Sequence, residues 1–241
     1  MFRQLVTLSF IVLVLSGCLY PDERRVENQI PYPDQIEAVQ QAVLRYRADT
    51  GFLPIRTFDQ KTTPLYQRYV IDFSLLVPKY LQQPPGTAFE SGGVYQYVLV
   101  DVEEDPKVKL IDLTFQKEVI KLEQKLSQYM RKHTYAPIKE ILDVGLFKLD
   151  YEALGYDQEP LVKSPYSQSF LPLLLTNDRE IIIDYRSEIN WMLQEYGHSF
   201  EEGEDVRPIL YEHSPFVPVL SVPYVLDENG EPIYAMKLRN K

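Results

Sequence analysis

The chain has 241 residues, of which 45% are hydrophobic and 25% are charged, and its formal net charge is −10 at pH 7. An acidic chain lacks the basic surface that nucleic-acid binding requires, and the 12% of aromatic residues exclude the composition of a disordered protein. The single cysteine excludes an internal disulfide, so the folded body must be stabilised by its hydrophobic core.

The first segment has the pattern of a bacterial lipoprotein signal peptide. Arg3 precedes an apolar run, Leu5–Leu15, which is long enough for a signal peptide but shorter than the ~20 apolar residues of a membrane-spanning helix. The small residues Ser16 and Gly17 then precede Cys18. This pattern resembles a lipobox, in which the Cys18 thiol receives a diacylglyceryl group and becomes the mature N-terminus. The alternatives are a plain signal peptide cleaved nearby and a buried thiol without a special role.

The lipobox interpretation divides the N-terminal region into two parts. Residues 1–17 are predicted to be the signal peptide, and residues 18–34 are predicted to be a lipidated N-terminus and a flexible tether, because they are polar and lack apolar periodicity. Two acyl chains attach a protein stably to a bilayer, whereas one does so only marginally. We therefore predict a palmitate-bearing lipoprotein on the extracytoplasmic face of the cell membrane, with its body close to the bilayer.

An amphipathic helix is predicted after the tether. It is expected to begin with Asp34 as N-cap, since Glu37 follows at the spacing of a capping box. Its apolar residues recur with helical spacing, at Ile36, Val39, Val43 and Tyr46. The same face returns 83 residues later, at Val119, Leu122, Leu126 and Tyr129.

Both helices are followed by the same motifs. An aromatic residue stands two positions before a Pro-Ile pair in Phe52–Ile55 and again in Tyr135–Ile138. An aspartate then precedes a short apolar block, at Asp72 and at Asp150, and each carboxylate is predicted to cap a short helix. Strands are predicted to complete the two units, over residues 94–100 and 109–112 in the first and 180–185 in the second.

We interpret this repetition as an internal duplication, with one α+β unit over residues 35–113 and another over residues 114–186. A degenerate third unit is predicted over residues 187–241, beginning with a helix around Ile189–Leu193. Its terminal hairpin is indicated by Asn229-Gly230, a tight-turn signal that lies between Tyr224–Leu226 and Ile233–Met236.

The predicted fold class is α+β, with helices covering one face of small antiparallel sheets. Strands and helices do not alternate in the steady manner that a doubly wound parallel sheet requires. The body should therefore consist of tandem helix-plus-sheet units and a C-terminal β-hairpin.

Several stretches resemble the YphF-like lipoproteins of Bacillus. They are Leu19-Tyr20-Pro21, Asn28–Tyr32, Pro84–Gly93 and Phe216-Val217-Pro218. The resemblance implies membrane attachment and carries no established activity, although a loose description as transporter binding proteins accompanies the family.

Residues 36–101 also resemble the globular part of a type II pseudopilin. The matching segments are Tyr46–Pro54, Leu76–Leu81 and Tyr95-Gln96-Tyr97. Pseudopilins carry a long N-terminal apolar helix that a prepilin peptidase cuts, and here a lipobox and a tether take its place. The resemblance therefore implies a helix packed on a short sheet and does not imply filament assembly.

No catalytic or metal-binding motif is found in the sequence, so we predict neither enzymatic activity, nor a metal, nor a cofactor. His133, His198 and His213 lack the spacing of a zinc site and are interpreted as exposed or capping residues. Asp72 and Asp150 suggest a pair of catalytic carboxylates, but their predicted N-cap positions explain them.

Two loops are candidates for binding. Residues 84–93 combine proline, glycine and an aromatic residue, and the residues that could contribute are Pro84, Pro85, Phe89, Gly92 and Gly93. The alternative is that Phe89 packs inward and the loop merely connects. The acidic loop at residues 101–105 leaves calcium binding and a solvated turn both open.

These features favour a non-enzymatic, lipid-anchored protein that binds an envelope protein of unknown identity or has a structural role at the cell envelope. A solute-binding lipoprotein of an ABC transporter is the first alternative, although such receptors build two α/β lobes around a cleft. An envelope hydrolase is the second, and it requires a deep pocket with perturbed titratable groups.

Overall fold

The computed structural model describes residues 32–197 and 199–238. Cys18, the predicted signal peptide and most of the predicted tether lie outside the described residues. The helices are α1 (Tyr32–Thr50), α2 (Phe73–Leu76), α3 (Gln116–His133), α4 (Arg186–Tyr196) and α5 (Pro208–Glu212). The strands are β1 (Tyr95–Val100), β2 (Lys107–Asp112), β3 (Ile138–Asp143), β4 (Leu146–Leu149), β5 (Leu161–Lys163), β6 (Phe170–Thr176), β7 (Ile181–Ile183), β8 (Tyr224–Leu226) and β9 (Pro232–Tyr234).

Helix α1 packs its predicted apolar face against the first sheet. Val39 and Val43 are fully buried, in a core that also contains Leu110 of β2. The helix begins at Tyr32, so the prediction that Asp34 is its N-cap was wrong. Asp34 lies inside the first turn, where its carboxylate interacts favourably with the positive end of the helix dipole. Gly51 ends the helix in a left-handed conformation, with φ of 76°.

The first sheet is built around the antiparallel pair β1 and β2. Tyr95 lies opposite Asp112, and the pairing continues to the other end of both strands. On the far side of β1, Val70 forms an antiparallel bridge with Val98, and Ile71 in turn bridges to Ile55. The predicted strands of the first unit are therefore confirmed, and two isolated bridges extend the sheet beyond them.

The second sheet has five strands: β3 pairs with β4, β4 and β5 pair with one edge of β6, and β7 pairs with the opposite edge of β6. All its pairings are antiparallel. Helix α3 covers it with the predicted face, since Val119, Leu122 and Leu126 are buried in the core that contains β6 and β7. The mixed α+β class with small antiparallel sheets is thus confirmed, as is the terminal hairpin of β8 and β9.

A segment near the C-terminus joins the two sheets. The Leu110 N–H of β2 donates to the Pro215 carbonyl at 2.8 Å, and the Val217 N–H donates back to Leu110 at 3.0 Å. A few residues later, the Leu220 carbonyl accepts from the Ile183 N–H of β7 at 2.8 Å. Residues 215–220 therefore act as an additional strand-like segment between β2 and β7.

Asp72 and Asp150 each donate a backbone hydrogen bond to the carbonyl of an earlier proline. The Asp72 N–H donates to the Pro54 carbonyl at 2.8 Å, and the Asp150 N–H donates to the Pro137 carbonyl at 2.7 Å. The first helix contacts β2 and the third contacts β7, the last strands of the two predicted units.

The two aspartates differ in what they cap. The Asp72 carboxylate accepts the Ser74 N–H at 3.0 Å and begins helix α2, as predicted. The Asp150 carboxylate accepts the Ala153 N–H at 3.2 Å, but residues 151–155 form turns, so the predicted helix there is wrong. Gly155, with φ of 74°, takes the chain into a left-handed conformation that a continuing helix does not allow.

Candidate functional site

The candidate binding loop at residues 84–93 is held together by its own backbone. The N–H groups of Ala88, Gly92 and Gly93 donate to carbonyls within the loop, at 2.9, 3.0 and 2.9 Å. The Ser91 hydroxyl donates to the Pro84 carbonyl at 3.2 Å. Pro84 and Pro85 are half-buried. The loop is therefore closed mainly by its own hydrogen bonds, while the Thr87 N–H donates outside the loop, to Gln35.

Gly93 permits the closest approach within this loop. A Cβ atom built on Gly93 would lie 2.2 Å from both the carbonyl carbon and the carbonyl oxygen of Thr87. Gly92 is required for a different reason, since its φ of 85° is left-handed while the space around it is open. The Gly-Gly pair thus combines a tight backbone contact with a turn.

The loop is attached to the beginning of α1. Gln35 is buried, and its Oε1 accepts from the Thr87 N–H at 3.2 Å and from the Thr87 hydroxyl at 2.7 Å. The Thr87 hydroxyl also lies 2.8 Å from the Tyr97 hydroxyl of β1. Burial raises the pKa of Tyr97 to about 12, so this hydroxyl stays protonated at neutral pH.

The loop projects apolar side chains into solvent. Phe89 is 59% exposed, so the alternative in which it packs inward is wrong. Val94, just after the loop, is 48% exposed, and Tyr32 at the start of α1 is 40% exposed. Glu90 is the acidic residue beside Phe89, and its carboxylate is paired with Arg56 at 2.5 Å. A rigid frame therefore presents an aromatic side chain whose charged neighbour is neutralised.

A second apolar surface lies on strand β3, which sequence reasoning did not single out. This strand is at the edge of the larger sheet and pairs with β4 alone in the part of the chain that the structure describes. Ile138 is exposed, Ile141 is 70% exposed, and Val144 at the tip of the β3–β4 hairpin is 78% exposed. Register shifts on both sides of Ile141 interrupt the pairing with β4. We refer to Ile138, Ile141 and Val144 as the β3 surface.

A groove of about 420 Å³ lies between α3 and the β6–β7 turn. Its apolar lining includes Leu126 and Met130, and two cations, Arg131 and Arg179, reach its rim together with Glu123. The structure records no ion pair for either arginine among residues 32–197 and 199–238. The groove is within the size range of small-molecule sites, and its arginines would suit an anionic group.

The two histidines within the described ranges, His133 and His213, belong to separate aromatic stacks. His133 stacks on Tyr129 with ring centroids 4.2 Å apart, and His213 stacks on Tyr196 at 3.9 Å. His198 lies outside the described residues.

The acidic loop is closed by its own contacts. The Asp105 N–H donates to the Asp101 carbonyl at 3.1 Å, and the Asp101 carboxylate lies 3.7 Å from the Lys107 ammonium. In the described ranges, no three His, Cys, Asp or Glu side chains converge as a metal site would require. Calcium binding by residues 101–105 therefore gains no support from the geometry.

The buried charged groups have structural partners. Arg207 donates through Nε and Nη2 to Asp205, with the shortest contact at 2.6 Å. Asp184 accepts from Arg186 at 2.8 Å and from the Tyr234 hydroxyl at 2.8 Å. Burial raises the pKa of Tyr234 well above its ordinary value, with Asp184 adding to the effect. The raised pKa of Tyr234 is thus explained by burial in a hydrogen-bonded pair, and neither this pair nor the Arg207–Asp205 pair lines the groove.

No helix among the described residues combines the length and the apolarity needed to cross a membrane.

The N-terminal part of the described chain matches a known family model. Residues 32–112 match the model of the YphF family N-terminal domain. The matched region runs from the first residue of α1 to the last residue of β2, about a third of the chain. No curated protein and no solved structure matches significantly. The match of residues 32–112 supports a YphF-like family for this chain.

Proposed function

We propose that the chain is a YphF-like lipoprotein, anchored through Cys18 to the extracytoplasmic face of the cell membrane, which binds another envelope protein and catalyses no reaction. The lipobox-like sequence at Cys18 supports the anchor. The β3 surface supports the binding role, because exposed apolar side chains at a sheet edge provide both backbone hydrogen-bonding groups and apolar contacts for a partner.

The partner suited to the β3 surface is an extended segment of another protein. The outer edge of β3 presents backbone groups that such a segment would pair with by strand addition. Ile141 and Val144 would cover its apolar side chains, and Lys139 and Glu140 offer charges of both signs. The register shifts beside Ile141 limit the pairing to a few residues, which favours a short segment over open-ended association.

The experiment that tests the binding role compares two exposed isoleucines. Ile141→Lys places a charge on the β3 surface, and Ile120→Lys places the same charge on α3, where Ile120 is 50% exposed. Affinity capture from crosslinked membranes should retain a specific partner with the wild type and with Ile120→Lys, and lose it with Ile141→Lys. Equal capture by both variants would show that the partner binds elsewhere.

The anchor has its own test. Cells that express the wild type should incorporate radioactive palmitate into the protein, and Cys18→Ala should abolish both the label and the membrane fractionation. Absence of label in the wild type would overturn the anchor without affecting the β3 surface.

We also propose that residues 35–113 and 114–186 are copies of one helix-plus-sheet unit. The matched Pro–Asp backbone hydrogen bonds and the contact of each helix with the last strand of its unit support this duplication. The same arrangement of a helix on a short sheet is what the pseudopilin resemblance implies for the first unit.

A solute-binding role is the second candidate, because the groove beside α3 offers Arg131 and Arg179 to an anion. A panel of carboxylate and phosphate solutes should then raise the melting temperature of the wild type, and the double variant Arg131→Ala/Arg179→Ala should lose that shift. A flat response across the panel would exclude this role.

A further inference from the structure

We infer that the end of the molecule formed by the start of α1 and residues 84–94 rests on the bilayer surface, with Phe89 and Val94 in the interfacial region. The occupant of this surface is the lipid interface itself. The inference rests on the proposed anchor at Cys18, and it assigns a lipid ligand to the loop that sequence reasoning treated as a general binding loop.

The point where the tether joins the body places this end near the membrane. About 14 residues link Cys18 to Tyr32, the first residue of α1. A polar linker of that length spans roughly 20 Å on average and at most about 50 Å when fully extended. A body of about 200 residues is roughly 40 Å across. The average linker therefore keeps the start of α1 closer to the bilayer than the opposite side of the body.

Specific contacts hold residues 84–94 beside the start of α1. Gln35 lies in the first turn of α1, and its side chain accepts hydrogen bonds from the N–H and from the hydroxyl of Thr87. The Tyr32 ring packs edge-on against Tyr95, with centroids 6.4 Å apart. Because these contacts hold the loop beside the start of α1, a membrane surface that contacts the start of α1 should also contact Phe89.

The chemistry of this surface suits a lipid interface. Phe89, Val94 and Tyr32 are exposed, and transfer of such side chains from water into an apolar region is favourable. An aromatic residue with a hydroxyl, such as Tyr32, is typical of the interfacial zone.

The hydrogen bonds of the loop also reduce the desolvation cost of entering the interfacial zone. The N–H groups of Ala88, Ser91, Gly92 and Gly93 donate to carbonyls inside the loop, and that of Thr87 donates to Gln35, so these donors lose no water on contact with lipid. Glu90, the carboxylate next to Phe89, is paired with Arg56. The formal net charge of −10 excludes general electrostatic attraction to anionic lipids, so the contact should be apolar and insensitive to salt.

The single cysteine makes a direct test possible. Once Cys18 carries lipid, the chain has no other thiol, so Phe89→Cys can be labelled at one position with an environment-sensitive fluorophore. Val144→Cys is the matched control, because Val144 is also exposed but lies on the β3–β4 hairpin. Both substitutions are at exposed positions, and circular dichroism should show native folding for each.

Lipidated, labelled protein is reconstituted into protein-free phospholipid vesicles that contain nitroxide-labelled lipids. We expect stronger quenching at position 89 than at position 144, because only position 89 is placed at the lipid interface. Equal quenching at the two positions, or weaker quenching at position 89, would overturn the inference. Crosslinking of position 89 to a protein in native membranes, without quenching at that position in vesicles, would also overturn it. Failure of the wild type to float with the vesicles would instead overturn the anchor, so the two proposals fail separately.

Discussion

Replacing Gly93 with alanine should destabilise the protein far more than replacing the adjacent Gly92. The new Cβ would lie 2.2 Å from two backbone atoms of Thr87, and these atoms would have to move by about 1 Å to restore an ordinary contact. Because backbone rather than a flexible side chain is in the way, the end of the loop at Gly93 must separate from the part of the loop around Thr87.

The magnitude follows from the contacts that this movement breaks. Overpacking against fixed atoms costs about 1–3 kcal/mol. The movement also strains the hydrogen bond from Gly93 N–H to Ala88 and the bond from Tyr95 N–H to Thr87, each of which contributes about 1 kcal/mol. We expect Gly93→Ala to lower the free energy of unfolding by about 3 kcal/mol, which corresponds to roughly 6–12 °C in melting temperature.

Gly92→Ala provides the matched control. Space around Gly92 is open, so its substitution costs only the left-handed conformation, about 1 kcal/mol. Guanidinium denaturation of both variants gives the two free energies, and hydrogen exchange at the Tyr95 amide reports whether the Thr87 contact has opened. A loss for Gly93→Ala no larger than that for Gly92→Ala would refute the close-approach argument.

Three further predictions concern the stability of the body. Leu122→Ala should lower the free energy of unfolding by about 2–5 kcal/mol in urea denaturation, because Leu122 is fully buried, whereas Ile120→Ala on the exposed face should change it by less than about 0.5 kcal/mol. Arg207→Met should cost about 2–3 kcal/mol, since it leaves the partly exposed Asp205 carboxylate without its partner, and an unchanged denaturation midpoint would contradict this. Burial raises the pKa of Tyr97 to about 12, so its contribution to stability is complete below pH 10 and is lost as the pH rises from 10 towards 12. Tyr97 alone should account for about 2 kcal/mol of the stability lost between about pH 9 and about pH 11.5, and denaturation of Tyr97→Phe should show a loss smaller by that amount.

The two long helices and their buried faces were predictable from local pattern. Apolar residues at helical spacing identify the buried side of α1 and α3 whatever they pack against, because the period of a helix is a local property. The error at Asp34 has a local reason as well, since an acidic residue is favoured both at the N-cap and in the first turn. The β8–β9 hairpin was predictable because Asn229-Gly230 suits a tight turn.

The central part of the second sheet was missed for physical reasons. Strand β6 contains Pro172, which has no N–H and therefore argues against a strand inside a sheet. Strand β3 is exposed along most of its length, so it lacks the alternation of buried and exposed residues that identifies a half-buried strand. The pairing of β3 with β4, and hence the β3 surface, depends on contacts that no local pattern encodes.

The candidate sites likewise combine features that local sequence predicts with features that only tertiary packing determines. The composition of Pro84–Gly93 was sufficient to select the loop, because proline, glycine and an aromatic residue have strong individual preferences. The position of the loop beside the start of α1 depends on distant segments, since Gln35 and Thr87 are 52 residues apart in sequence. The exposure of Phe89 and the contact of Gly93 with Thr87 follow from how the loop closes in three dimensions. Periodicity and turn chemistry act between neighbours along the chain, whereas the assembly of a surface requires the packing of distant segments, here completed by residues 215–220 between β2 and β7.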